Sequence, residues 1–268
     1  MKGPNKSMRT LALGLGYFFL YVPILSLMVF SFNDSPVVTS WTGFSLRWYS
    51  ALFADDALLR AAWLSFQIAA FTATAATIIG TWAGYVLARM GRFRGFGLYL
   101  GMLSAPLVIP EVVLGISLLL MFVEMRGTLG WPEQNGMFTI WVGHVTLCMA
   151  FVAVVIQSRI RDMDRSLEEA ALDLGATPLK VFFSITLPLI VPALASAWLL
   201  SFTLSLDDVV LASFLSGPGF TTLPMEVFSR VRLGLKPEVN ALATLFILAV
   251  GTCVIVANRL QVRKETQS

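Results

Sequence analysis

Charged side chains are scarce in this sequence: Asp, Glu, Lys and Arg make up 13% of its 268 residues, against about 25% in soluble domains. With 57% hydrophobic residues and a mean hydropathy of +0.78, the composition argues against a water-soluble fold. Cysteine is limited to Cys148 and Cys253, each inside an apolar stretch and in no metal-binding or redox spacing. No metal site is therefore expected. His144 is the single histidine, and no grouping of nucleophile and base accompanies it, so there is no catalytic residue to name. None of the five lysines follows a glycine, whereas a phosphate-cradling P-loop requires Gly-Lys-Ser/Thr. The chain is not expected to bind ATP by that route, and no cofactor is implied. The net charge of +3 is spread in short clusters, a pattern of membrane topology rather than of nucleic-acid binding.

What the sequence has in abundance is long apolar runs. A hydrocarbon core of about 30 Å takes roughly 20 helical residues to cross, and six runs of that order occur, at 11–32, 61–88, 96–123, 138–156, 189–206 and 239–258. Lipid offers no partner to exposed backbone N–H and C=O groups, and nothing alternates as a membrane barrel requires, so the spans are expected to be helices. The first run is too long for a signal peptide and has no small-residue cleavage site after it, so it is read as a retained helix. The fold class expected is an all-α integral membrane protein with six transmembrane helices. Thirteen of the nineteen Lys and Arg residues fall on one side of that arrangement, which places both termini, 1–10 and 259–268, in the cytoplasm. A single transmembrane domain, 11–258, lies between them. The connections on the other side, 33–60, 124–137 and 207–238, carry Trp41, Trp48 and Trp131, which suit the membrane interface.

The longest cytoplasmic connection, 157–188, is polar enough to leave the membrane and patterned enough to fold. Ser166 and Glu169 form a capping-box pattern, predicting a helix from Leu167. Gly175 suits the left-handed position after that helix, and Thr177 with Pro178 offers a cap and a first-turn proline for a second one. Leu167, Ala171 and Leu174 then share a face, with Ala170 beside them. Spacing alone equally allows a hairpin resting on the lipid headgroups.

Glu169, Ala170 and Ala171, then Gly175, then Ile185, Leu187 and Pro188, reproduce a long gapped pattern. It resembles the EAA-G-I-LP loop of permease subunits in binding-protein-dependent ABC importers. The segments APLVIP at 105–110, SLDD at 205–208, SGPG at 216–219, TLPM at 222–225 and PEVNALAT at 237–244 are similar to the spermidine/putrescine branch of that family. The resemblance implies a core of five helices preceded by an extra one, in the type I permease fold of the bacterial inner membrane. It implies ATPase coupling through Glu169, Ala170, Ala171, Gly175, Ile185, Leu187 and Pro188. It also implies a heterodimer with a homologous second permease, two ATP-binding subunits, and a periplasmic polyamine-binding protein that delivers putrescine or a related polyamine. The same loop would equally serve an importer of another small solute. A secondary transporter working without ATP would show an inverted repeat with broken helices in matching positions, and none is evident.

Candidate pathway residues are the acids and hydroxyls near the spans. Glu111 lies inside the third run behind Pro106 and Pro110, where a carboxylate costs about 2.5–3.5 kcal/mol on insertion scales. It is expected either to line a cation pathway or to pair with a basic residue of a partner subunit. Asp207 and Asp208 end the fifth run, and Ser201, Ser205 and Asp208 share one helical face. They are read as an interfacial helix end or, given the resemblance, as part of a cation route. His144 is expected to be a neutral histidine hydrogen-bonded inside the bundle rather than a proton relay. Trp41 is an interfacial anchor, with a second role as an aromatic face for an ammonium group.

Overall fold

The structure, a computed structural model, describes residues 6–37, 40–234, 237–248 and 252. Among these its regular structure is all helical, with an isolated bridge between Asn33 and Phe44 and no strand. Among the described residues five helices are long and apolar enough to cross a membrane by length and composition: Thr10–Phe30, Asp56–Arg89, Glu111–Leu129, Met137–Arg161 and Pro178–Asp207. The chain divides into two units, Met1–Leu59 with Val227–Ser268, and Arg60–Glu226.

In the first unit, α1 (Lys6–Phe30) leads into a loop organised by Asn33, whose side chain donates to the Ser40 carbonyl at 2.7 Å and accepts from the Thr42 N–H at 3.0 Å. The indole of Trp48, on α2 (Arg47–Phe53), donates to the Asn33 carbonyl at 2.7 Å. Arg230 binds Asp55 at 2.6 Å and lies 3.5 Å from Glu238. That guanidinium, helped by backbone N–H groups, holds the Asp55 carboxyl below its ordinary range. Of the sixth apolar run, Pro237–Leu248 is helical, and residues 249–251 and 253–258 lie outside the described set.

The second unit is built around α6 (Met137–Arg161), whose buried residues, from Thr139 to Ile160, lie along most of its length. Its neighbours are α3 (Asp56–Arg89), α4 (Phe96–Val108), α5 (Glu111–Leu129), α9 (Leu187–Asp207) and α10 (Val210–Leu215). Association in lipid gains little from the hydrophobic effect and depends on close packing, which small residues permit. Ala69, Ala73, Ala76, Gly80 and Gly84 provide that stripe on α3: a Cβ on Gly80 would lie 2.6 Å from Val152 Cβ, and one on Gly84 2.7 Å from the Ala153 carbonyl oxygen.

Two expectations are corrected here. The run 96–123 is not one helix: α4 ends at Val108, Ile109 (φ −74°, ψ 133°) and Pro110 are extended, and α5 begins at Glu111 and continues to Leu129. A residue before proline is pushed out of the α region by the proline ring, so the break falls where the chemistry requires it. The connection 207–238 is also not a solvent loop throughout. Its apolar beginning forms α10, whose Leu211, Ala212 and Leu215 are fully buried with Ile68, Phe122, Ile140 and Leu147.

Candidate functional site

Two places gather the residues singled out above. The first is the turn joining α6 to α9. Here α7 (Ser166–Asp173) ends in a Schellman motif: the Gly175 N–H donates to Leu172 at 2.9 Å and the Ala176 N–H to Ala171 at 3.0 Å, with Gly175 at φ +84°. Thr177 then caps α8 (Pro178–Val181), accepting from the Lys180 N–H at 3.4 Å, and a π-helical turn, Phe182–Thr186, runs into α9. The helix, sharp turn and second helix expected from the sequence are all present. The capping box is not: Asp164, rather than Glu169, accepts the Ser166 N–H at 2.9 Å, and this bond holds the Asp164 carboxyl below its usual range. Glu169 instead pairs with Arg165 one turn back, at 3.0 Å.

On the outer side of this turn Glu169, Ala170, Gly175 and Pro188 are exposed, while Ala171, Ile185 and Leu187 are half-buried. A recess of about 300 Å³ opens between α7 and α8, lined by Ala171, Leu174, Gly175, Lys180, Ser184 and Ile185. Leu167, Leu174, Leu179 and Phe183 are exposed nearby. Sequence reasoning passed over the inner side, where Glu168 is buried, accepts from Thr186 Oγ1 at 2.6 Å and lies 2.6 Å from Arg89 Nε.

The second place is the end of α9. Ser201 and Ser205 are buried on the face turned to α6: the Ser201 carbonyl lies 3.7 Å from Cys148 Sγ, and Ser205 Oγ is 2.7 Å from His144 Nδ1. His144 Nε2 lies 3.4 Å from Asp208, whose carboxylate also accepts the Ala212 N–H at 3.0 Å and so fixes the start of α10. Asp208 thus belongs to a buried polar knot. Glu111 and Asp207 differ: both are exposed, and neither has an ion-pair partner among the described residues. Glu111 stands at the first position of α5, not mid-helix, where the helix dipole favours a carboxylate. It lies within electrostatic range of Asp207, Asp208 and His144. The structure therefore brings Glu111, Asp207, Asp208, Ser201 and Ser205 to one region of the second unit. Trp41, in the first unit, is half exposed and packs edge-on against Phe30, with ring centres 6.2 Å apart.

Residues 76–267 match the family described as binding-protein-dependent transport system inner membrane component, and the chain belongs to that family. It is 60% identical over 259 residues to the putrescine transport system permease protein PotI of Escherichia coli strain K12, covering 97% of this chain and 92% of PotI. To the spermidine/putrescine transport system permease protein PotC of the same strain it is 42% identical, covering 94% of this chain and 92% of PotC. Among solved structures, a bacterial ABC transporter that imports the acidic polysaccharide alginate superposes with a TM-score of 0.72 at 18% identity, covering 97% of this chain and 99% of that one. The inward-facing methionine transporter MetNI superposes with a TM-score of 0.61 at 17% identity, covering 77% and 94%. These likenesses define the fold as that of an ABC-transporter permease.

Proposed function

We propose that the chain is one permease subunit of an ATP-driven importer for putrescine or a related polyamine. The observation that carries this reading is the 60% identity to PotI across nearly the whole chain. The capped, exposed turn around Glu169 and Gly175 supports it, since a permease without a P-loop must receive the work of hydrolysis through a surface. Ala170, Ala171 and Gly175 leave room beside the recess for another protein, and Glu169, Ile185, Leu187 and Pro188 frame it. Separate ATP-binding subunits would dock there, two for a heterodimer of this chain with a homologous second permease. A periplasmic binding protein would deliver the polyamine from the other side.

In this reading α4 and α5 form one broken crossing, which with α1, α3, α6, α9 and the helix beginning at Pro237 makes six. Both termini and the coupling loop 157–188 are cytoplasmic, and 11–258 is a single inner-membrane domain. A polyamine carries ammonium groups on an apolar stem, so its route needs spaced carboxylates without resident counter-ions. Glu111 and Asp207 have that character, Asp208 with Ser201 and Ser205 forms the wall behind them, and Trp41 offers an aromatic face at the outer loop. The test is uptake of labelled putrescine into proteoliposomes holding both permeases and the ATPase, supplied with the binding protein. ATP-dependent accumulation is expected; none with all components assembled would overturn the proposal.

A further inference from the structure

Glu168 and Glu169 are adjacent in sequence and opposite in fate. The Glu169 side chain is 60% exposed and that of Glu168 is 9% exposed. Both Glu168 oxygens are engaged: Oε1 accepts from Thr186 Oγ1 and Oε2 faces Arg89 Nε, each at 2.6 Å. Arg89 is the last residue of α3, and Thr186 is the last of the π-helical turn that becomes α9. One carboxylate on α7 therefore holds the ends of two long helices.

A second contact joins the end of α3 to the π-helical turn that leads into α9. Trp82 stacks on Phe182 with ring centres 4.7 Å apart, and Tyr85 meets the same ring edge-on at 5.1 Å. The end of α3 is thus already packed against the turn that leads into α9, and Glu168 adds α7 to them. An eight-residue helix does not hold its shape or direction in isolation, and α7 exposes Leu167 and Leu172 to its surroundings. Stability alone is a poor reason for a buried ion pair, because an apolar pair of the same volume is usually as stable. What the pair adds is direction: its two short polar contacts fix α7 in one orientation, and losing the Thr186 bond leaves a buried hydroxyl unsatisfied.

We propose that Glu168 is a positioning residue, a latch that joins the coupling helix α7 to α3 and α9 so that a push on α7 moves both as one body. The proposal rests on the coupling role assigned above to the turn. It assigns force transmission to the inner face of α7, with Arg89, Glu168 and Thr186, and docking to the outer face.

The test uses the full complex of both permeases, ATPase subunits and binding protein. Glu168→Gln keeps the shape and the Thr186 bond while removing the charge; Arg89→Gln and the double variant complete a cycle. Putrescine imported per ATP hydrolysed should fall about tenfold in Glu168→Gln, while capture of the ATPase subunits equals the parent's. The double variant should fall no further than the worse single one, because both changes break the same contact. A merely structural role would lower abundance, hydrolysis and uptake together and leave their ratio unchanged; that result, or additive losses, would overturn the latch. If Glu168→Gln fails to accumulate, Thr186→Val decides, since it removes one hydroxyl from the same contact: a fall of about threefold in the ratio supports the latch, and an unchanged ratio overturns it. A parent complex that imports nothing would instead overturn the functional reading, and the latch with it.

Discussion

Helices α1 and α6 each have 25 residues and nearly the same hydropathy, 2.0 and 2.2 over their most apolar windows, yet 0% of α1's window and 61% of α6's are buried within the chain. Apolarity cannot account for this, because a leucine in lipid gains little by moving against protein. The difference lies in side-chain size and polarity. Buried positions of α6 include Gly143, Ala150, Ala153, Thr139, His144 and Cys148, which allow close approach or supply a hydrogen bond. The surface of α1 carries large groups such as Phe18, Phe19 and Leu11, with Phe19 84% exposed. Dispersion contacts made by closely fitted small residues, together with a few enclosed polar groups, decide which apolar helix becomes a core.

Substitutions at the two kinds of surface should separate accordingly. The largest loss is expected from Gly84→Leu, which drives a side chain into the backbone of α6. Destabilisation of at least about 3 kcal/mol should appear as loss of membrane-inserted protein on an immunoblot or in a thermal-shift assay. Next come Glu111→Gln and Asp207→Asn, where abundance should stay at the parent level. Putrescine uptake should fall about ten- to a hundredfold if each carboxylate holds an ammonium group directly, a loss of about 1.5–3 kcal/mol. Asp208→Asn should separate from these two by costing about 1–3 kcal/mol of thermal stability, because this carboxylate is enclosed with His144 and the start of α10. Equal behaviour of Asp207→Asn and Asp208→Asn in both assays would remove the distinction between an open acid and an enclosed one. The smallest effect is expected from Phe19→Ala, within about 0.5 kcal/mol for the isolated chain, since that ring is exposed among the described residues.

Local chemistry explains which features were legible in the sequence. The turn after α7 depends on residues within one or two positions of it, so Gly175, Thr177 and Pro178 disclosed it without any tertiary information. The break before α5 was signalled by Pro110, yet proline is tolerated inside membrane helices, and length made 96–123 look continuous. The stretch 209–215 is too short to read as a crossing and falls within the connection 207–238, although Leu211, Ala212 and Leu215 belong to the core of the second unit. The capping pattern misleads because Asp164 accepts the Ser166 N–H while Glu169 pairs with Arg165, and pattern alone does not rank two nearby carboxylates. The Arg89–Glu168 pair joins residues 79 positions apart, a separation at which neither periodicity nor a motif carries a signal. The serine row on α9 was visible as a face; that the face turns to His144 required the fold.

The turn itself offers the most direct check on the central claim, that this permease draws its work from separate ATPase subunits docked on the outer face of α7. Gly175→Val strains a backbone at φ +84°, and Glu169→Lys reverses a charge on the exposed face. With both variants at the parent's membrane abundance, capture of the ATPase subunits and uptake of putrescine should be measured side by side. The expected result is loss of both capture and uptake; normal capture with normal uptake in both variants would contradict it.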